Sequence, residues 1–126
     1  MTSFSASGHP CISACHATTL EFTTSADVTP QGDCIIGVSA RPGFRRLFGL
    51  RGRQVLILTV GGLEERVRFE ANPGYSDAHE MVIRKSGFLS PRTLGTHADK
   101  SALDLCFRGR LRDPQCTILA RVERDA

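Results

Sequence analysis

Four side chains that metals accept crowd the N-terminal segment: His9, Cys11, Cys15 and His16 fall within eight residues, and thiolate with imidazole is a donor set that zinc or copper would take. Their spacing argues against a site. Structural zinc draws paired ligands from two separated knuckles, whereas Cys15 and His16 are neighbours that an extended chain sends to opposite faces. No metal is expected, and these residues read as a loop histidine beside small thiols that behave as modest hydrophobes.

A second set offers acid–base and ion-binding chemistry: His9, His16, Glu21, Asp33, Lys85, Ser86, Asp99 and Lys100. A carboxylate beside a lysine, with imidazole at hand, can move protons or grip an anionic small molecule. The lysines stand out because 14 of the 16 basic residues are arginine, leaving only Lys85 and Lys100. Arginine cannot lose its proton, while a desolvated lysine can act as base or nucleophile and a solvated one binds anions as a point charge. Each residue also has an architectural reading. Glu21 can pair with an arginine on a neighbouring strand, Asp33 can close its own turn, Asp99 can cap a helix and Ser86 can end a strand. His79 and His97, at element boundaries, read as capping or solvent residues.

Arginine itself suggests a third chemistry, through the run Arg45, Arg46, Arg51 and Arg53 and the run Arg108, Arg110 and Arg112. Nucleic acid would use such patches. Acids at Glu64, Glu65, Glu70 and Glu123 offset them, the net charge is only +3, and one tyrosine with no tryptophan offers little for base stacking. A salt-bridged surface of the thermophile kind accounts for the same residues with fewer assumptions. No phosphate-cradling loop, GxGxxG, GxSxG or HExxH is present.

The elements that must position these groups are mostly strands. Residues 15–24 are rich in threonine, and Leu20 and Phe22 alternate with Glu21 and Thr23, so Glu21 should face away from His16. A turn over 29–33 leads into a doubly covered strand at Cys34–Val38. Phe44, Leu47 and Phe48 share one face of a short helix. Arg53–Val60 and Glu65–Glu70 form a hairpin through the glycines at 61 and 62, and Met81–Lys85 and Thr117–Val122 are further strands. An α-helix is expected from Thr96, capped with Asp99 and presenting Ala98, Ala102, Leu105 and Cys106 inward, until Gly109 and Pro114 end it.

Several of these segments carry a resemblance. Gly8-His9-Pro10, His16, Thr18-Thr19-Leu20-Glu21, Thr29-Pro30 and Gly32 to Val38, with Val82 to Ser86, Arg92-Thr93-Leu94, Ala98-Asp99-Lys100 and Asp104-Leu105, together resemble an archaeal family, domain of unknown function family 371. Cys11 and Cys15 depart from its pattern. The resemblance implies an archaeal origin and a compact, sandwich-like β fold, and it brings no activity, cofactor or catalytic role.

With 126 residues, 40% of them apolar, the chain has the size of a single domain spanning 1–126. Neither a secretory signal nor an apolar run of membrane-crossing length is seen, and five cysteines are an odd number for a disulfide framework. The cytoplasm and free thiols are therefore expected, a Cys106–Cys116 bridge being the alternative. About seven strands with one helix predict a mainly β fold, β-sandwich-like and mostly antiparallel, with α+β as the alternative. The function expected is a small-molecule binding protein or enzyme whose pocket, suited to an anionic ligand, includes His9, His16, Glu21, Asp33, Lys85, Ser86 and Lys100. The contrasting expectation is a non-catalytic module that engages RNA or a protein partner through an arginine-rich face or a sheet edge. Homo-oligomers are compatible with either, and no cofactor is indicated.

Overall fold

Alternation of apolar and polar side chains generates most of the structure, a computed structural model that describes residues 1–28 and 32–125. The strands are β1 (Thr2–Ser7), β2 (Thr19–Thr23), β3 (Ile35–Arg41), β4 (Arg53–Val60), β5 (Leu63–Ala71), β6 (Glu80–Arg84), β7 (Thr93–Thr96) and β8 (Thr117–Arg124). In β8, Ile118, Ala120 and Val122 turn inward while Leu119 and Arg121 are exposed; in β5, Val67 and Phe69 turn inward between exposed Arg66, Arg68 and Glu70. The turn between β4 and β5 is tighter than the sequence suggested. Gly61 and Gly62 hold φ of +54° and +86°, the conformation of a two-residue hairpin loop, so β5 begins at Leu63.

The eight strands form one closed barrel in the order β1-β3-β2-β6-β7-β5-β4-β8 rather than two facing sheets. Six pairings are antiparallel, but β2–β3 and β6–β7 are parallel. The mainly β expectation holds, and the sandwich is corrected to a barrel. At Phe22↔Gly37 the glycine admits a ring: a Cβ there would lie 2.7 Å from Phe22 Cε1. Phe22 packs edge-on against Phe4 with centroids 4.9 Å apart, and Phe4 packs likewise against Phe44 at 5.3 Å.

The expected α-helix from Thr96 does not form. Thr93–Thr96 is β7, and two 3-10 turns follow, Ala102–Asp104 and Arg108–Arg112. Asp99 does not cap a helix; its carboxylate accepts the Arg68 amide at 2.9 Å, which ties this stretch to β5. Ser101 and Asp104 make the capping box instead, around a single turn that ends at an extended Leu105. The short helix expected near residue 44 is also one 3-10 turn, Arg45–Leu47, and it buries Phe44 and Leu47 as their spacing implied. Ile12, Ala14, Tyr75, Leu105, Phe107 and Leu111 complete the core from the connections. Arg108 Nε donates to Ala14 O and Arg112 Nε to Ile12 O, both at 3.2 Å, so these arginines pin the N-terminal loop. The predicted turn over 29–33 lies partly outside the described residues.

Candidate functional site

β2 lies between β3 and β6, and its odd residues face outward from the barrel while Leu20 and Phe22 fill it. Glu21 is therefore on the outer surface, yet its side chain is only 6% exposed. Ile35 and Val82, its partners in β3 and β6, cover it from both sides. A cleft of about 370 Å³ opens over it, lined by Thr23, Ser25, Asp27, Gly32, Cys34, Glu80 and Arg92 among others.

The polar contacts of Glu21 within this cleft are long. Cys34 Sγ donates weakly to Glu21 Oε1 at 3.6 Å, and Arg92 Nη1 stands 3.9 Å from the same oxygen. Arg92 Nη1 donates instead to Glu80 Oε2 at 3.0 Å. The guanidinium thus sits between two carboxylates but is hydrogen-bonded to one of them. Burial first, and the Glu80 charge second, push the Glu21 carboxyl above its ordinary value, against the weaker opposing pull of Arg92. Burial and the neighbouring Glu21 push the Cys34 thiol up to about 12, so it keeps its proton at neutral pH and is no thiolate nucleophile.

The walls are held from behind. Tyr75, itself buried, donates its hydroxyl to the Glu80 carbonyl at 2.8 Å, and Asp77 Oδ1 accepts the Glu80 amide at 2.9 Å, which fixes the start of β6. On the other rim, the Ser25 amide donates to Thr23 Oγ1 at 3.1 Å and the Ser39 amide to Ser25 O at 2.8 Å. A carboxyl with a raised titration at the floor of a fixed cleft can accept or deliver a proton, or hold a ligand donor group.

Of the residues singled out from the sequence, Glu21 lies in this cleft, and Asp33 lies between its lining residues Gly32 and Cys34. Asp33 also meets His16 through the backbone, its carbonyl accepting the His16 amide at 3.2 Å. The His16 ring accepts the Thr18 amide at 3.2 Å and does not line the cleft. His9 accepts the Cys11 amide at 3.0 Å in a local turn. Lys85 pairs with Asp104 at 2.8 Å, and Lys100 donates to the Arg66 carbonyl at 2.7 Å, so each ammonium already has a partner. Ser86 lies exposed, its hydroxyl facing the Phe88 amide at 3.4 Å. Among the described residues no three His, Cys, Asp or Glu side chains group as a metal site, and all five cysteines, Cys106 and Cys116 included, are free.

Sequence reasoning did not assign a role to Cys34, Glu80 or Arg92. Cys34 and Arg92 stand within resemblance-bearing segments, but only the register Glu21↔Ile35 and Thr23↔Glu80 places their neighbourhoods together. No helix of the described residues is long and apolar enough to cross a membrane.

The chain is 36% identical over 109 residues to "Uncharacterized protein MJ0206" of Methanocaldococcus jannaschii, an alignment covering 79% of this chain and 81% of that protein. The model of the family described as "Domain of unknown function (DUF371)" matches residues 4–109, a span that holds every wall of the Glu21 cleft, and the chain belongs to that family.

Proposed function

We propose that this protein binds a small polar molecule in the Glu21 cleft, and that the group seated against Glu21 is a hydrogen-bond donor or a cationic amine. One observation carries the reading: Glu21 is buried, and the guanidinium that lines its cleft, Arg92, stands 3.9 Å from Glu21 Oε1 while donating to Glu80 at 3.0 Å. A buried carboxylate with only a long ion pair is costly, and a ligand donor that adds a close hydrogen bond offsets that cost. The lining charge sets the ligand class. Glu21, Asp27 and Glu80 face one guanidinium, Arg92, so the cleft favours a donor or cation over the anionic ligand that the sequence suggested. The same Glu21 carboxyl supplies general acid or base chemistry if the bound molecule has a proton to exchange.

The alternative, an arginine-rich face for RNA or a protein partner, has less support. Of the two arginine runs, Arg108 and Arg112 serve backbone carbonyls and Arg53 sits 3.9 Å from Asp125, which leaves Arg45, Arg46, Arg51 and Arg110 without an ion pair among the described residues. Free thiols fit a reducing compartment, and we place the protein in the cytoplasm on that basis.

The test is an amide-shift titration with spermidine, methylguanidinium and acetate. The cations should move Thr23, Ser25, Cys34 and Ile35 saturably, Glu21→Gln should abolish those shifts, and acetate should leave them in place. Equal cation shifts in Glu21→Gln, or preferential acetate binding, would overturn the proposal.

A further inference from the structure

A second concavity lies against the rim of the acidic cleft and has the opposite charge. Its volume is about 470 Å³, and Thr24, Ala40, Pro42, Gly43, Arg45, Arg46, Ala78 and His79 form its walls. Thr24 separates Thr23 and Ser25 of the first cleft, and His79 precedes Glu80, so one turn of chain on each side divides the two sites.

No carboxylate lines this groove, and neither Arg45 nor Arg46 has an ion pair among the described residues. Five other arginines, Arg53, Arg66, Arg68, Arg92 and Arg121, are each within 4.0 Å of an acid. The groove is also built rather than incidental. The 3-10 turn that carries both arginines is anchored by buried Phe44 and Leu47, the Phe44 amide donates to Ala78 O at 3.3 Å, and the Thr24 amide donates to His79 O at 2.9 Å. Gly43 lets the backbones approach, since a Cβ there would stand 3.0 Å from Ala78 O. The Thr24 hydroxyl and His79 Nδ1 are 3.2 Å apart. In the tautomer that accepts at Nδ1, the ring carries its proton on Nε2 and adds a neutral donor to the groove that Arg45 and Arg46 also line.

We infer that the Arg45–Arg46–His79 groove is an oxyanion site, taking the phosphate group of a small molecule. Guanidinium forks match phosphate oxygens in pairs. A polynucleotide backbone would present the same group, but it would need a basic track longer than this groove, and Arg53, Arg66, Arg68 and Arg121 are paired with Asp125, Glu64, Asp99 and Glu123. This site and the Glu21 cleft stand independently, because each is read through its own probe and its own amides.

The experiment is a titration of the full chain with sodium pyrophosphate at constant ionic strength, followed by amide and arginine Nε–H shifts, with a ten-nucleotide single-stranded RNA as the second probe. Saturable shifts confined to Thr24, Gly43, Arg45, Arg46 and His79 are expected. Losing a charged hydrogen-bond donor should weaken binding about tenfold in Arg45→Gln and in Arg46→Gln, while Arg51→Gln, equal in charge change but outside the groove, should stay within about twofold. Shifts spread over all surface arginines, or equal weakening by Arg51→Gln, would overturn the site. RNA binding at lower concentration than pyrophosphate, with shifts reaching beyond the groove, would overturn its assignment to a small phosphate ligand.

Discussion

Replacing Gly37 by alanine probes the contact that sets β3 against β2, and so the wall of the Glu21 cleft. The added Cβ would fall 2.7 and 2.8 Å from two atoms of the Phe22 ring and 3.0 Å from the Ala6 Cβ, so the ring must retreat about 0.7 Å to reach ordinary contact at 3.4 Å. It has nowhere to go: Phe22 is fully buried and packed edge-on to Phe4 at 4.9 Å, which in turn meets Phe44. Overpacking of this kind costs about 1–3 kcal/mol, partly offset by the roughly 0.5–1 kcal/mol of unfolded-state entropy that alanine removes. A net loss of about 1–2 kcal/mol remains. With an unfolding entropy of about 2.1 cal/mol/K per residue over 126 residues, the melting midpoint should fall by about 4–8 °C. Phe22→Leu alone should cost about 1–1.5 kcal/mol, but in the Gly37→Ala background it makes room for the methyl. The two penalties should therefore fall short of adding, by about 1 kcal/mol. Thermal and urea unfolding of the four proteins measure this, and amide shifts at Glu21 and Cys34 report whether the wall moved. A Gly37→Ala protein that melts within about 1 °C of wild type, or penalties that add fully, would refute the packing argument.

Two further outcomes follow from titrating groups. Because the folded state holds the Glu21 proton above the ordinary value of 4.5, it binds more protons than the unfolded chain as pH rises past that value, and stability declines there. Glu21→Gln removes this loss, so its urea midpoint should gain on wild type from pH 5 to pH 8; a pH-independent difference would contradict the assignment. Asp104 is held down to about 2, chiefly by its hydrogen bond from Lys85. Its stabilisation is present above the unfolded value and lost as pH falls through about 2. Lys85→Met should return its carboxyl carbon titration toward the ordinary range while leaving the Glu21 cleft unchanged, and an unaltered Asp104 titration would count against the pair.

Local pattern carried much of the fold and little of the site. β2, β3, β4, β5, β6 and β8 each fall on a segment with period-two alternation or an apolar run. In β1, Phe4 and Ala6 alternate with serines, a pattern with too few β-branched and aromatic residues to mark a strand by itself. β7 is four residues containing Gly95, and a Cβ there would lie 2.2 Å from the Phe69 ring; that glycine answers to a distant aromatic, which no local rule detects. Ala98, Ala102 and Leu105 have helical spacing, but no helix forms there, and the Asp99 carboxylate is bound by the Arg68 amide of β5. The barrel in place of a sandwich depends on the parallel seams β2–β3 and β6–β7, which period alone cannot distinguish. Within the site, the outward placement of Glu21 was legible from alternation, but its burial depends on Ile35 and Val82 across two seams. The scarcity of lysine pointed to Lys85 and Lys100, whose ammonium groups serve Asp104 and a backbone carbonyl.

The barrel also has a kinetic consequence. β1 and β8 are neighbours over six residue pairs, from Thr2↔Val122 to Ser7↔Thr117, so the seam that shuts the cylinder joins residues 110 to 120 apart in sequence. A contact that distant forms against the largest loop entropy in the molecule, which places it among the slow steps of folding. Until it forms, β1 and β8 each present an open edge to other chains, so the window in which this protein can misassociate closes only when its last strand arrives.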